Sequence, residues 1–337
     1  FMAERRARGY RQLRSPRAMV PLLVHLRARG VCPTLTPAAT PSEELLGRFR
    51  VHLIAERGLA AASARVYLDA VRAFLVGRAR VDGALALADL GPGDITRFVL
   101  AEARRRHGRG AALTTTALRA LLRFLHLEGL IANPLAEVVP SVACWRLAGL
   151  PRGVGADEVR ALIATADRPG PVGLRDRAIL LLLVRLGLRA GEVARLELGD
   201  IDWRAGEILI RGKGDRHERL PLPAEVGRAL AAYLREGRPP ERACRRVFLR
   251  SRAPRHGLSP AGVSQVVAGA SARAGLPALG AHRLRHTVAC QMLRAGASLP
   301  EIGRVLRHRS ALATAIYAKV DRDALTACAR PWPGSAP

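Results

Sequence analysis

The chain has 337 residues, 49% of them hydrophobic, enough for about two folded domains. Its 55 Lys and Arg against 28 Asp and Glu leave a net charge of +27. That excess calls for a polyanionic partner, nucleic acid before any other; codon bias would explain arginine over lysine but not base over acid. The longest apolar run, 178–184, is closed by Arg177 and Arg185 and is far short of the roughly 20 residues of a membrane span. The N-terminus is basic, without an apolar core followed by a cleavage site, so no signal peptide is expected. Five cysteines are scattered without a C-x-x-C pair. That pattern argues against a paired-cysteine zinc site and a disulfide scaffold, and a reducing cytoplasm is the expected compartment.

In chain order, residues 1–41 form a basic lead segment with a short helix over 17–29 and a proline-rich linker over 34–41. Four helices are predicted next, at 42–57, 63–76, 95–107 and 114–128. Ser42 caps the first, and Gly58, Gly77, Gly108 and Gly129 follow their ends. Apolar residues recur at three- and four-residue steps, as at Val66, Ala70, Val71 and Phe74. A helical domain over 42–130 is therefore expected, then an interdomain linker over 131–155. A second domain over 156–325 opens with helices at 156–166 and 174–186, the latter apolar on nearly all sides and so buried. Gly187 ends it, and a short helix follows Arg189. The convincing β region is a hairpin, 206–210 and 218–222, turning at 212–215. The rest of the domain reads as helical. Ser298-Leu299-Pro300-Glu301 is a capping box, Ser310 caps the helix expected to carry Tyr317, and 326–337 is a tail. The fold class is mainly α with a small antiparallel β-sheet.

Chemistry concentrates in the second half, in Arg189, Lys213, His282, Arg285, His308 and Tyr317. The chain has only two lysines, Lys213 and Lys319. Arginine cannot give up a proton at ordinary pH, so a lysine kept in a hairpin turn of an arginine-rich chain points to a proton that must move. Two arginines can hold the non-bridging oxygens of a phosphodiester as charge builds on them. A phenol is a weak nucleophile until a base or a positive field helps it. His282 could be that base, Lys213 the acid for a leaving 5′ oxygen, and His308 a phosphate ligand. Glu192 either orients a neighbouring cation or merely opens a helix, and His286 is either structural or a supporting partner. His282 and His286 also have the spacing of a zinc pair. The two cations between them, Arg283 and Arg285, disfavour a metal, so no metal and no cofactor are expected.

These residues lie in local sequences that resemble the tyrosine recombinases, the phage integrase family. Gly187-Leu188-Arg189-Ala190-Gly191-Glu192 is similar to the family's first arginine box. Arg211-Gly212-Lys213-Gly214-Asp215-Arg216 is similar to its β-hairpin lysine, and His282-Arg283-Leu284-Arg285-His286 to its H-x-L-R-H box. Leu306-Arg307-His308, with Tyr317 nine residues on, is similar to its final histidine and nucleophile. The resemblance spans about 155–320 and is nearest to the Xer-like and transposon-encoded branch. One departure is Arg307, where the family has glycine. Arginine is costly there if the backbone needs a positive φ; otherwise Arg307, like Arg216, is a candidate DNA contact.

The resemblance implies an N-terminal core-binding domain and a mixed α/β catalytic domain on double-stranded DNA. It implies a 3′-phosphotyrosine intermediate without metal or ATP, for integration, excision or transposition. It also implies a homotetramer on synapsed recombination sites, alone or with a partner recombinase. Two other readings stay open from sequence: a type IB topoisomerase-like enzyme, and a DNA-binding accessory protein whose catalytic set has decayed.

Overall fold

The computed structural model describes residues 4, 7, 16–33, 40–80, 84–105, 109–141, 153–212, 217–240, 244–252, 255–308 and 310–320. Lys213 and Arg216, the turn expected at 212–215 beyond Gly212, and the tail after 320 lie outside these residues. The chain divides into two compact units, 1–145 and 146–337. No helix among the described residues is long and apolar enough to cross a membrane.

The first unit holds α1 (Pro16–Ala28), α2 (Pro41–Val51), α3 (Ala61–Val76), α4 (Pro92–Arg105) and α5 (Arg109–Leu127). Thr40, not Ser42, caps α2, its hydroxyl accepting the Glu43 N–H at 3.3 Å, with Pro41 in the first turn. The helix runs on as a π turn, His52–Glu56, before Gly58 reverses the chain at φ +61°. Helix α5 is the central post, with Ala117, Leu118, Leu121, Leu122 and Leu125 fully buried. Phe49 packs on Phe124 at 5.3 Å and Phe74 edge-on to Phe98 at 5.1 Å. The apolar stripe of α3 includes Ala70, Val71 and Phe74, but Val66 faces outward.

The expected linker at 131–155 begins too early. Ile131, Leu135, Ala136 and Val139 belong to the helical core, folded back by a 3₁₀ turn at Leu135–Val138. Arg119 fixes the return by donating to the Val139 carbonyl at 2.8 Å. The periodicity is too short there to register as a helix, although the apolar residues are still core residues. At the other end, Val154 already belongs to the second unit, where its N–H donates to the Thr287 hydroxyl at 2.8 Å.

The second unit is built on α7 (Pro171–Arg185), whose residues 178–184 are all buried. Around it pack α6 (Ala156–Ala164), α9 (Ala224–Ala232), α10 (Pro260–Arg273) and α11 (Ala281–Arg294). Between α7 and α9 come the short α8 (Ala190–Arg195) and a three-stranded antiparallel sheet. Its strands are β1 (Ile201–Asp202), β2 (Glu207–Arg211) and β3 (His217–Pro221), paired Ile201 to Ile208 and Arg211 to His217. Ile208 and Ile210 point into the core. Arg211 donates to the buried Asp200 carboxylate at 2.7 Å, which anchors the end of β2 just before Lys213.

The expected hairpin is thus present, with β1 as an added edge. Residues 244–258, expected to be helical, instead make isolated β-bridges, Glu197 to Arg246 and Leu249 to Gly257.

The capping box of Ser298 and Glu301 opens α12 (Leu299–Val305). Ser310 stands at the N-cap of α13 (Ala311–Ala315) without a side-chain capping bond. Helix α13 stops early, and Tyr317 sits on the following 3₁₀ turn, Ile316–Val320, instead of the helix expected for it.

Gly187 ends α7 at φ +58°, and a Cβ there would lie 2.7 Å from the Leu306 side chain. A left-handed backbone costs an L-residue about 1–2 kcal/mol. Gly187→Ala should therefore lower Tm by roughly 2–8 °C in thermal unfolding; an unchanged Tm would contradict both the backbone strain and the close Leu306 contact.

Candidate active site

The reversal at Gly187 places Arg189 at the N-cap of α8, extended at φ −76° and ψ 149°. Glu192, buried one turn later, reaches back to it. One carboxylate oxygen accepts the Arg189 backbone N–H at 2.8 Å and the other accepts its Nη1 at 2.6 Å. Arg189 keeps 42% of its side chain exposed, so the guanidinium is held yet accessible.

Helix α11 carries His282, Arg285 and His286 at i, i+3 and i+4, which puts them on one face. Arg285 is only 1% exposed. Its Nη1 donates to the Gly187 carbonyl at 2.7 Å, and its Nη2 donates to the Leu306 carbonyl. Burial, then the neighbouring charge of Arg189, push its pKa down to about 9, which still leaves a cation at neutral pH. The His282 and His286 rings meet edge-on, centroids 4.4 Å apart.

The Tyr317 hydroxyl lies 2.8 Å from His286 Nδ1. This contact goes beyond the supporting role expected of His286; from sequence, His282 was the candidate base. The Tyr317 ring stacks on His308 with centroids 6.2 Å apart and planes within 7°. His308 Nδ1 in turn sits 2.6 Å from the Thr314 hydroxyl, a partner that nothing in the sequence singled out. Burial first, then Arg285 and Arg189, hold the His308 pKa down at about 4, so it is neutral at physiological pH. Tyr317 is 1% exposed. Burial pushes its phenol up to about 12, against a downward pull from Arg285.

Arg307 differs from its expected role. Its φ is +54°, the left-handed conformation in which a side chain is costly. Its side chain is 6% exposed, and Nη2 is paired with Glu192 at 3.0 Å. It therefore does not reach outward for a phosphate. Its own carbonyl accepts Arg189 Nη2 at 3.0 Å.

Seven of the expected residues thus meet in one place: Arg189, Glu192, His282, Arg285, His286, His308 and Tyr317. Among the described residues, no group of three or more His, Cys, Asp or Glu is placed to hold a metal ion. The arrangement can bind an anion with two fixed cations, and it presents a phenol to an imidazole.

The phenol's environment has a direct readout. Subtracting the tyrosinate absorbance of Tyr317→Phe from that of the wild type during an alkaline titration should isolate a midpoint at about 12. A midpoint near the ordinary value of about 10 would mean the site is wetter than its packing implies.

Comparison with known proteins gives the following. Residues 153–323 match the model of the phage integrase family. The chain is 48% identical over 297 residues to a Sinorhizobium fredii protein named as an integrase/recombinase, y4rA, covering 87% of this chain and 72% of that protein. It is 35% identical over 304 residues to the tyrosine recombinase XerD of Mycobacterium tuberculosis, covering 85% and 95%. Its fold is similar to that of the XerH site-specific recombinase bound to its palindromic difH substrate in a post-cleavage complex. There the TM-score is 0.67 at 18% identity, covering 87% of this chain and 97% of that one.

Proposed function

The chain belongs to the phage integrase family of tyrosine-type site-specific DNA recombinases, and from that premise we propose that Tyr317 is the nucleophile that cuts and rejoins DNA. The observation that carries this reading is the 2.8 Å contact between the Tyr317 hydroxyl and His286 Nδ1, beside the fixed guanidinium of Arg285. With a pKa raised to about 12, the phenol needs a base. An unprotonated Nδ1 at this distance can take its proton as the oxygen attacks.

Tyr317 Oη bonds to a backbone phosphorus, and the bond from phosphorus to the 5′ oxygen breaks. The result is a 3′-phosphotyrosine and a 5′-hydroxyl. Lys213, two residues after β2 in the sequence, gives the departing oxygen its proton. Arg189 and Arg285 hold the non-bridging oxygens while negative charge grows on them. Two N–H groups of Arg285 are spent on backbone carbonyls, which fixes the guanidinium and leaves its other donors for the phosphate once the buried site is opened. His282, edge-on to His286, and the neutral His308 add hydrogen bonds to the same oxygens. Attack by the 5′-hydroxyl of another strand then reverses the chemistry and releases Tyr317. The phosphoester bond energy is conserved throughout, so ATP is not called for, and Arg189 and Arg285 supply the charge a metal would otherwise bring. Because Tyr317 is buried, the 3₁₀ turn at Ile316–Val320 must uncover it when DNA docks.

Exchange between two duplexes requires four strand cuts. With one nucleophilic tyrosine per chain, this reading gives a homotetramer on paired recombination sites. The net charge of +27 supplies the phosphate contacts, with affinity falling steeply as salt rises. DNA as substrate, together with the free thiols of Cys32, Cys244 and Cys290, suits a reducing cytoplasm.

The test uses duplexes nicked beside the cleavage position and taken from the flanks of the encoding gene, incubated in EDTA and run on denaturing gels. Wild type should give a covalent adduct, while Tyr317→Phe should bind equally well and give none. An adduct from Tyr317→Phe would refute the assignment. Lys213→Arg keeps the charge but cannot donate the proton, so cleavage should slow by roughly 10²-fold or more. A wild-type rate would make the lysine a phosphate contact only.

A further inference from the structure

Arg307 and Arg189 are joined by two routes. The Arg307 carbonyl accepts Arg189 Nη2 at 3.0 Å. The Arg307 guanidinium and Arg189 Nη1 flank the same carboxylate, Glu192, at 3.0 and 2.6 Å. We propose that Arg307 is a positioning residue for DNA cleavage, holding the Arg189 guanidinium in place for the scissile phosphate by sharing Glu192 with it. This rests on Arg189 being a phosphate clamp.

Three observations carry the inference. First, Arg307 is the one non-glycine among the described residues with a positive φ, at a site where glycine would carry no such strain. Second, its Nε is buried and makes no hydrogen bond, a further cost. A residue that bears strain and an unmet donor persists where its surroundings over-determine it, and such residues cluster at functional sites. Third, its side chain turns inward to Glu192. Besides Glu192, Nη1 donates to the Val305 carbonyl at 3.0 Å, and the side chain is 6% exposed.

The electrostatic consequence follows from sharing. Glu192 alone with Arg189 would neutralise it and draw it inward. With Arg307 as a second partner, one carboxylate is divided between two guanidiniums. Arg189 keeps more of its charge for a phosphate whose oxygens become more negative during attack.

The experiment is single-turnover cleavage at saturating nicked DNA, with DNA affinity and Tm measured for every variant. Arg307→Gly removes the side chain, leaves the carbonyl, and relieves the strained φ. It should keep or raise Tm, bind DNA within about twofold of wild type, and cleave about tenfold more slowly, the effect expected of losing one charged hydrogen bond. Arg307→Lys restores a cation beside Glu192 and should recover most of the rate. In a Glu192→Gln background, Arg307→Gly should change the rate by less than about twofold, because the shared partner is gone.

Wild-type cleavage by Arg307→Gly would overturn the proposal. So would a lysine variant as slow as the glycine one, or a loss that multiplies in full on top of Glu192→Gln. A wild-type protein that forms no adduct would count against the nucleophile assignment instead. The two failures are therefore distinguishable.

Discussion

The buried guanidinium of Arg285 is the contact on which the site depends. Its donors reach the carbonyl of Gly187 at the end of α7 and that of Leu306 at the end of α12. Helix α11, which carries it, thereby ties together the segment that presents Arg189 and the segment that presents His308. Each of these segments ends with left-handed backbone, at Gly187 and at Arg307. That conformation lets a helix stop abruptly and turn its last carbonyls toward a donor. A charge buried this deeply is tolerable because two of its donors are hydrogen-bonded and a carboxylate, Glu192, stands close by. The same burial that depresses its pKa strengthens its field toward any phosphate that replaces water.

The electrostatics of the surrounding groups divide the work. His308 is held neutral by burial and by two nearby arginines, so it can hydrogen-bond without adding charge. Tyr317 is held protonated by burial, which prevents a free phenolate from forming in a site crowded with cations. On the proposed reading, Tyr317 is therefore latent until a base acts and a phosphate arrives. Glu192 lies deep enough that burial alone would raise its pKa. Arg307 and Arg189 outweigh that effect and keep it ionised. The balance of cations and one carboxylate thus leaves positive charge where a phosphodiester would sit.

Much of this arrangement was legible in the sequence because three of the four boxes coincide with a helix boundary or helix face. Arg189 follows a helix-ending glycine, and His282, Arg285 and His286 share the i, i+3, i+4 face of one helix. The long apolar helix at 174–186 and the antiparallel strands on either side of Lys213 in the sequence were readable from their periods. The rest depended on packing, which no period records. The core role of Leu135 and Val139 comes from a 3₁₀ return that local pattern does not mark. The 3₁₀ turn beneath Tyr317 forms because α13 ends after five residues. Sequence identified Arg307 as anomalous but could not assign its φ, and so could not tell an outward phosphate contact from an inward partner of Glu192. Which of the two neighbouring histidines meets the phenol likewise depends on the register of Tyr317 against α11.

The central claim, that this Arg285-centred site makes Tyr317 the covalent link to DNA, is most directly tested by locating the link itself. The adduct formed on nicked DNA would be digested with nuclease and protease and the modified peptide sequenced by tandem mass spectrometry. A nucleotide phosphate on the peptide containing Tyr317, and on no peptide containing Tyr10, Tyr67 or Tyr233, is the result the account predicts. A phosphate on any other residue would contradict it.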